Sequence, residues 1–213
     1  MSAHDAHRID ALFAGVGVVP VLTVSALDDA LPLAEALVGS GLRVLEVTLR
    51  TPVALAAIGR MREVPGAIVG AGTVLGDDDL AAVQDAGAAF AISPGATDAL
   101  YAAATRRGLP LLPGIATAGE LMRGLEHGWT RFKFFPAEAS GGLVALKGFA
   151  GPFGQARFCP TGGIDAAKAP AYLAQPNVFA VGGSWMVPSE RVQAKDWTAI
   201  AEMASHAHNA CGG

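Results

Sequence analysis

The sequence predicts an α/β fold, most simply a single-domain (β/α)8 barrel with an additional N-terminal helix. Short apolar runs recur about every 20 to 25 residues, and each is followed by an Ala- and Leu-rich, charge-dotted stretch of helical length. Strands that alternate with helices imply parallel βαβ units, and eight such units in about 200 residues fit a small barrel. A doubly wound sheet is the structural alternative.

Eight apolar runs are the predicted strands. In chain order they are Val18–Val24, Arg43–Leu49, Ile68–Val74, Phe90–Pro94, Leu109–Ile115, Arg131–Pro136, Arg157–Thr161 and Val178–Val181. Helices between them carry start signals, among them Asp28 with Asp29, and Thr117 with Glu120, which has the spacing of a capping box. The barrel is therefore expected over about 18–188, after an N-terminal helix at about 4–14 and before a C-terminal helix at about 195–209. No linker is visible, so we expect one domain over 1–213.

Composition excludes several classes of function. The chain has 213 residues, of which 52% are apolar and 16% charged, and its net charge of −4 gives no electrostatic footprint for nucleic acid. No window approaches the roughly 20 apolar residues that span a bilayer, and the N-terminus lacks the pattern of a signal peptide. Two cysteines make a disulfide framework unexpected, so we expect a cytoplasmic protein. The low charge also hints at a subunit interface.

Lys133 is the most informative residue of the chain. It lies in the run Arg131–Pro136 among Phe132, Phe134 and Phe135, whereas the other three lysines fall in segments typical of surface helices or helix starts. Desolvation disfavours an ammonium ion and so lowers the pKa of a buried lysine, and a free amine can attack a carbonyl carbon. The alternative is a lysine that extends its amine to water or pairs with a carboxylate.

Glu46 is the only carboxylate within a predicted strand core. The two-residue period of a strand places Glu46, Thr48 and Arg50 on one face and apolar residues on the other. The apolar face should meet the helices, so the polar face points into the barrel, where Lys133 points by the same parity. An amine and a carboxylate in one enclosed site are the parts that Schiff-base chemistry needs. The alternative for Glu46 is an internal salt bridge to Arg50.

Glycine pairs follow the last two predicted strands, in Thr161-Gly162-Gly163 and Gly182-Gly183-Ser184. Loops after strands seven and eight commonly build the phosphate site of a barrel, because glycine leaves backbone amides free to bind phosphate oxygens. No cluster of histidines at the strand ends is present to hold a catalytic metal. The sequence therefore predicts a phosphate-binding site without a metal.

Six blocks of the sequence resemble the 2-keto-3-deoxy-6-phosphogluconate (KDPG) aldolase family. They are Val44–Arg50, Val69–Val74, Ala91–Gly95, Phe132–Glu138, Phe158–Ile164 and Gly182–Trp185. The resemblance covers nearly the whole chain, from about Val18 to Pro188. It implies a class I aldolase of the Entner–Doudoroff pathway that has a (β/α)8 fold, is usually a homotrimer, and requires no metal or organic cofactor.

The resemblance also implies a role for each matching residue. Lys133 would form the Schiff base, and Glu46 would be the general acid and base. The substrate-binding residues would be Arg50 and Thr73 at the carboxylate end, Pro94 and Phe135 around the pocket, and Thr161, Gly162, Gly163, Gly183 and Ser184 around the phosphate.

The expected reaction is the reversible cleavage of KDPG to pyruvate and glyceraldehyde 3-phosphate, and the family often also accepts 4-hydroxy-2-oxoglutarate. A related aldolase cleaves the galactonate epimer, although the sequence around Lys133 and Cys159 looks more like the gluconate type. Two rival functions stay open at this point. One is a phosphosugar isomerase or synthase on the same kind of barrel, and the other is a non-catalytic phosphosugar-binding module.

Overall fold

The computed structural model describes residues 4–212, with side chains from residue 6 onward. The strands are β1 (Val18–Leu22), β2 (Val44–Thr48), β3 (Ile68–Gly72), β4 (Ala91–Ile92), β5 (Leu111–Leu112), β6 (Gly114–Ile115), β7 (Arg131–Phe134), β8 (Arg157–Pro160) and β9 (Val181–Gly183). The helices are α1 (His4–Leu12), α2 (Ala30–Gly39), α3 (Ala54–Met61), α4 (Asp77–Asp85), α5 (Asp98–Arg107), α6 (Ala118–Glu126), α7 (Gly142–Ala150), α8 (Ala169–Leu173), α9 (Ser189–Gln193) and α10 (Trp197–Ala210).

The strands form a curled, parallel arrangement. Six of them pair in the order β5-β4-β3-β2-β1-β9, and three pair in the order β6-β7-β8. Every strand pair is parallel, and helices connect most of the successive strands. The predicted α/β fold of alternating strands and helices is therefore confirmed.

Three predicted strands differ in their bounds from the observed ones. The run Leu109–Ile115 is divided into β5 and β6 at Pro113, which has no N–H to donate to a neighbouring strand. The run Phe90–Pro94 contributes only the two residues of β4. The strand predicted at Val178–Val181 is displaced towards the C-terminus, since Val178 makes only an isolated pair with Phe158 and the continuous strand begins at Val181.

The alternation of side chains along the strands matches the predicted parity. Leu45 and Val47 of β2, and Phe132 and Phe134 of β7, belong to the large apolar cluster that includes the helices. A second apolar cluster lies on the opposite face of the strands and contains Val19, Val44, Phe90, Ile92, Leu112, Cys159 and Ala180 together with Ile9 and Phe13. The ring of Phe13 contacts those of Phe90 and Phe179, which precede β4 and β9. The segment containing α1 therefore packs against the amino ends of the strands.

Helix ends follow the sequence signals in two clear cases. Thr117 and Glu120 form the predicted capping box of α6, in which each side chain accepts a hydrogen bond from the backbone N–H of the other residue. Thr97 caps α5 by accepting a hydrogen bond from the backbone N–H of Leu100. Among the helices of the described residues, none has both the length and the apolar character needed to cross a membrane.

Candidate active site

Lys133 and Glu46 form a buried ion pair. Lys133 comes from β7 and Glu46 from β2, and the Lys133 Nζ donates a hydrogen bond to Glu46 Oε1 over 2.8 Å. The two residues are 6% and 2% exposed. A buried carboxylate and amine at this distance can exchange a proton, so the pair can supply both a free amine and a proton carrier.

The three phenylalanines around Lys133 in the sequence do not all lie near its amine. Phe132 and Phe134 lie on the helix side of the sheet, while the ring of Phe135 lies with its centroid 5.3 Å from the amine. Lys133 is therefore both buried and paired with a carboxylate, that of Glu46, so the two possibilities considered for this lysine occur together. The alternative considered for Glu46, a salt bridge to Arg50, is not observed among the described residues, because the ion pair to Glu46 comes from Lys133.

Gly72 makes room for the Glu46 side chain. It pairs with Thr48 across the sheet, and a Cβ atom added at Gly72 would lie 2.2 Å from Glu46 Oε1. The next residue, Thr73, has a φ of 64°, a left-handed conformation that is costly for a β-branched residue. Such strain is concentrated at functional sites, and here it directly follows the strand that faces the ion pair.

A cavity of about 160 Å³ opens beside Lys133 at the carboxyl ends of the strands. Of the predicted site residues, eight line it: Arg50, Lys133, Phe135, Thr161, Gly162, Gly163, Gly183 and Ser184. Glu46 lies behind Lys133 and contacts it directly. Thr73 and Pro94 follow the ends of β3 and β4 and are outside the lining of this cavity.

Arg50 is the cation that the cavity presents to a ligand. It is exposed and lines the cavity, and within the described residues its guanidinium makes no hydrogen bond or ion pair. A guanidinium can bind a carboxylate or a phosphate through two parallel hydrogen bonds. The cavity is therefore suited to an anionic ligand.

The loop after β8 requires its two glycines. Gly162 and Gly163 have φ values of 105° and 78°, which disfavour any residue with a Cβ. The loop is held from outside by Lys168, whose amine donates to the Gly163 carbonyl over 2.9 Å and pairs with Glu138 at 2.7 Å. Lys168, and then the hydroxyl of Tyr172, lower the pKa of the Glu138 carboxyl through their hydrogen bonds.

Two further side chains line or support the space around Lys133. The hydroxyl of Thr161 is buried and has no hydrogen-bond partner in the described part of the chain, so it can bond to a ligand in the cavity. Cys159 pairs with Lys133 across β7 and β8. Burial raises the pKa of its thiol to about 12, which keeps the thiol neutral beside the ion pair.

The sequence interpretation missed two residues of the cavity. Val21 and Ile164 also line it; Val21 lies within the predicted strand Val18–Val24, and Ile164 follows the predicted strand Arg157–Thr161. Val21 has the same strand parity as Val19, so its inward direction could have been read from the two-residue period. Within residues 6–212, no group of three or more His, Cys, Asp or Glu side chains is arranged to hold a metal ion.

Comparison with known proteins decides the family. The family model described as KDPG and KHG aldolase matches residues 9–203. This chain belongs to the KDPG and KHG aldolase family. This chain is 56% identical over 191 residues to the KHG/KDPG aldolase of Escherichia coli K12, and the match covers 89% of this chain and 90% of that relative. Membership makes this chain a lyase.

Solved structures of aldolases agree with this assignment. The KDPG aldolase of Zymomonas mobilis ZM4, determined with 3-phosphoglycerate, has a TM-score of 0.90 and 52% identity, covering 93% of this chain and 94% of its own. The KDPG aldolase of Legionella pneumophila has a TM-score of 0.89 and 49% identity, with coverages of 92% and 95%. The Legionella structure holds pyruvate captured at low pH as a covalent carbinolamine intermediate.

Proposed function

We propose that this lyase is a class I aldolase that reversibly cleaves KDPG to pyruvate and D-glyceraldehyde 3-phosphate. The observation that carries the proposal is the buried Lys133–Glu46 pair beside a strand-end cavity, in a member of this family. The covalent pyruvate intermediate of the Legionella relative supports a covalent route through an amine. We also propose activity on 4-hydroxy-2-oxoglutarate, in line with the KHG/KDPG name of the Escherichia coli relative.

Lys133 performs the first step as the nucleophile. Its free amine attacks the C2 ketone carbon to give a carbinolamine, and loss of water then gives a protonated imine. Glu46, at hydrogen-bond distance from the amine, can accept the proton that the ammonium must lose before attack. The positively charged imine is the electron sink for the next step.

Glu46 carries protons during carbon–carbon bond cleavage. The carboxylate, acting through a water molecule, takes the proton of the C4 hydroxyl while the C3–C4 bond breaks, and glyceraldehyde 3-phosphate leaves. The electron pair of that bond moves into the imine to form an enamine. Return of a proton to C3 and hydrolysis of the imine then release pyruvate and the free amine of Lys133.

The cavity holds the two charged ends of the substrate. We assign Arg50 and Thr73 to the substrate carboxylate, and Pro94 and Phe135 to the shape of the pocket. Thr161, Gly162, Gly163, Gly183 and Ser184 bind the phosphate through hydroxyls and backbone amides. The positive φ values of Gly162 and Gly163 support this assignment, because they leave backbone amides accessible without a side chain.

The strands close, in our proposal, into one (β/α)8 barrel that forms a single domain. Only Pro113 separates β5 from β6, so these two short strands act as one. Parallel pairs between Phe158 and Val178, and between Thr161 and Gly182, join β8 to the segment of β9, which pairs with β1. Closure would bring all the carboxyl strand ends around one mouth, where barrel enzymes carry their active sites.

We further propose a cytoplasmic homotrimer. Large apolar side chains remain exposed on the single chain, including Val144 at 81%, Leu75 at 65% and Met122 at 54%, and exposed apolar surface is typical of subunit interfaces. Both cysteines are free thiols, which fits a reducing compartment. Light scattering should give three times the 21.6 kDa mass of the chain; a monomer mass would contradict the trimer.

Borohydride trapping tests the covalent step. Incubation with pyruvate and borohydride should leave a reduced adduct on the peptide that contains Lys133, located by mass spectrometry. Lys133→Met should abolish the adduct, whereas Lys147→Met, which removes an exposed helical lysine, should leave it unchanged. An adduct on another lysine, or the absence of any adduct, would contradict the mechanism and favour an isomerase or synthase.

Turnover tests the reaction and the role of Glu46. A coupled assay should detect pyruvate released from KDPG, from its galactonate epimer and from 4-hydroxy-2-oxoglutarate, with KDPG the preferred substrate. Binding of KDPG without pyruvate release would instead indicate a non-catalytic module. Glu46→Gln should lower turnover while preserving some imine formation, and unchanged turnover would remove Glu46 from the mechanism.

A further inference from the structure

A second cavity, of about 300 Å³, adjoins the catalytic cavity. It lies between the segment after β1, the start of α2, and the segment that runs from β9 into α9. Val21 and Ser184 line both cavities, so the two spaces share a wall. None of the roles proposed for the aldol reaction uses the remaining residues of this second cavity.

Asp29 is a buried carboxylate in the wall of the second cavity. The residue is 8% exposed, and its Oδ1 has no hydrogen-bond partner among the described residues. Asp29 occupies the N-cap position of α2, yet its side chain makes no capping hydrogen bond. Burial of an unbonded carboxylate oxygen is unfavourable, so this side chain lacks the usual structural reason for its position.

Lys195 partly balances the charge of Asp29 from outside. The Lys195 Nζ lies 3.6 Å from Asp29 Oδ1, an ion-pair distance that is too long for a hydrogen bond. The Lys195 side chain is 64% exposed, so its charge is largely in solvent. The Asp29 carboxylate is therefore partly neutralised but still lacks a hydrogen-bond donor.

We infer that the second cavity is a binding site for a small neutral polyhydroxy molecule, one of whose hydroxyls donates to the Asp29 carboxylate. The polar part of the wall supplies hydroxyls and an amide that both donate and accept, from Thr23, Ser25, Ser184, Ser189 and Gln193. Apolar side chains such as Leu22 and Leu33 cover the rest and suit the carbon chain of a polyol. Polar groups that converge in a partly apolar pocket are typical of small-molecule sites.

The charges in and beside the wall favour a neutral ligand over a charged one. An anion, including the phosphate end of a substrate, would meet Asp29, and no Lys, Arg or His is present among the described residues that line the cavity. A cation would compete with Lys195, which already stands beside the carboxylate. A neutral molecule rich in hydroxyl groups meets neither obstacle.

Ligand-observed NMR with erythritol tests the site on the full, resting enzyme. Erythritol should bind the wild-type protein measurably more tightly than 1,4-butanediol, which has the same carbon chain but two fewer hydroxyls, and than ethanolamine, which carries a charge. Asp29→Asn should weaken erythritol binding roughly five-fold, since hydrogen bonds to charged groups are stronger than neutral ones. Asp29→Leu should abolish binding by filling the wall with an apolar side chain.

Asp28→Asn is the matched control, because Asp28 is the exposed neighbour in the same turn. It should leave erythritol binding unchanged. Borohydride trapping at Lys133 should stay intact in all three variants, which shows that they are folded and separates this site from the aldol reaction. The inference is overturned if erythritol binds no better than butanediol, if Asp29→Asn binds it as well as wild type, or if ethanolamine is the preferred ligand.

Discussion

The inward-facing positions of the strands hold different kinds of residue at the two ends of the sheet. At the carboxyl ends these positions hold the Lys133–Glu46 pair, and the adjoining loops carry the strained Thr73 and a cavity open to ligand. At the amino ends they are apolar, and Phe13 packs there with ring centroids 5.2 and 5.6 Å from Phe90 and Phe179. Polar burial is costly whereas apolar burial is stabilising, so the comparison assigns chemistry to one end and stability to the other.

The largest expected effect comes from separating the buried charges at the carboxyl end. Lys133→Met leaves Glu46 buried without its partner, and we expect it to lower the free energy of unfolding by about 4 kcal/mol. The double variant Lys133→Met/Glu46→Leu should recover most of that loss, because apolar residues of similar size can replace a buried ion pair. Urea unfolding at neutral pH measures both.

The exposed pair Arg60–Glu63 is the control for that measurement. Its side chains are 57% and 56% exposed, so Glu63→Gln should change the free energy of unfolding by less than about 0.5 kcal/mol. If the double variant were as unstable as Lys133→Met alone, the loss would come from packing around the lysine stem. The polar end would then not differ from the apolar end in the way proposed.

The second effect is the loss of apolar packing at the amino end. Phe13 is 4% exposed, and Phe13→Ala should lower the free energy of unfolding by about 3 kcal/mol through lost burial and the cavity left behind. The folded protein should keep its turnover and its borohydride adduct, since Phe13 lies away from the catalytic cavity. Urea unfolding and the trapping assay, run on the same sample, measure the two outcomes.

Met122→Ala provides the matched truncation of an exposed side chain, and we expect it to change stability by no more than about 0.5 kcal/mol. A fall in the turnover of folded Phe13→Ala protein would show that the two ends are coupled. In that case the assignment of chemistry to one end and stability to the other would have to be abandoned.

The direction of each strand side chain could be predicted from the sequence, but the distances between them could not. The two-residue period of a strand was enough to predict that the side chains of Glu46 and Lys133 point to the same side of the sheet. The 2.8 Å contact depends on the register of several strands and on the space left by Gly72, which are non-local properties. The same limit explains why a salt bridge from Glu46 to Arg50, its near neighbour in sequence, stayed open as an alternative until the structure showed the pair with Lys133.

Strand ends and the second cavity were the least predictable features. The displacement of β9 beyond Val178 follows from pairing with β1, which no local pattern reports. Asp29, together with Asp28, is typical of a helix start. That pattern gives no reason to expect the Asp29 carboxylate to be buried without a hydrogen bond. Burial of a polar side chain depends on which distant segments cover it, here the segment that leads into α9.

The smallest expected effect separates charge from packing at the amino end. Asp10, next to Ile9 at the end of α1, accepts two hydrogen bonds from Arg131 of β7 at 2.6 and 2.7 Å, but the side chains are 42% and 20% exposed. Asp10→Asn should therefore lower the free energy of unfolding by only about 0.5 kcal/mol, and the difference should shrink at high salt because screening weakens exposed pairs. Urea unfolding at low and high salt measures it. A loss as large as that of Phe13→Ala would mean that the ion pair, and not the apolar cluster, holds α1 against the strands.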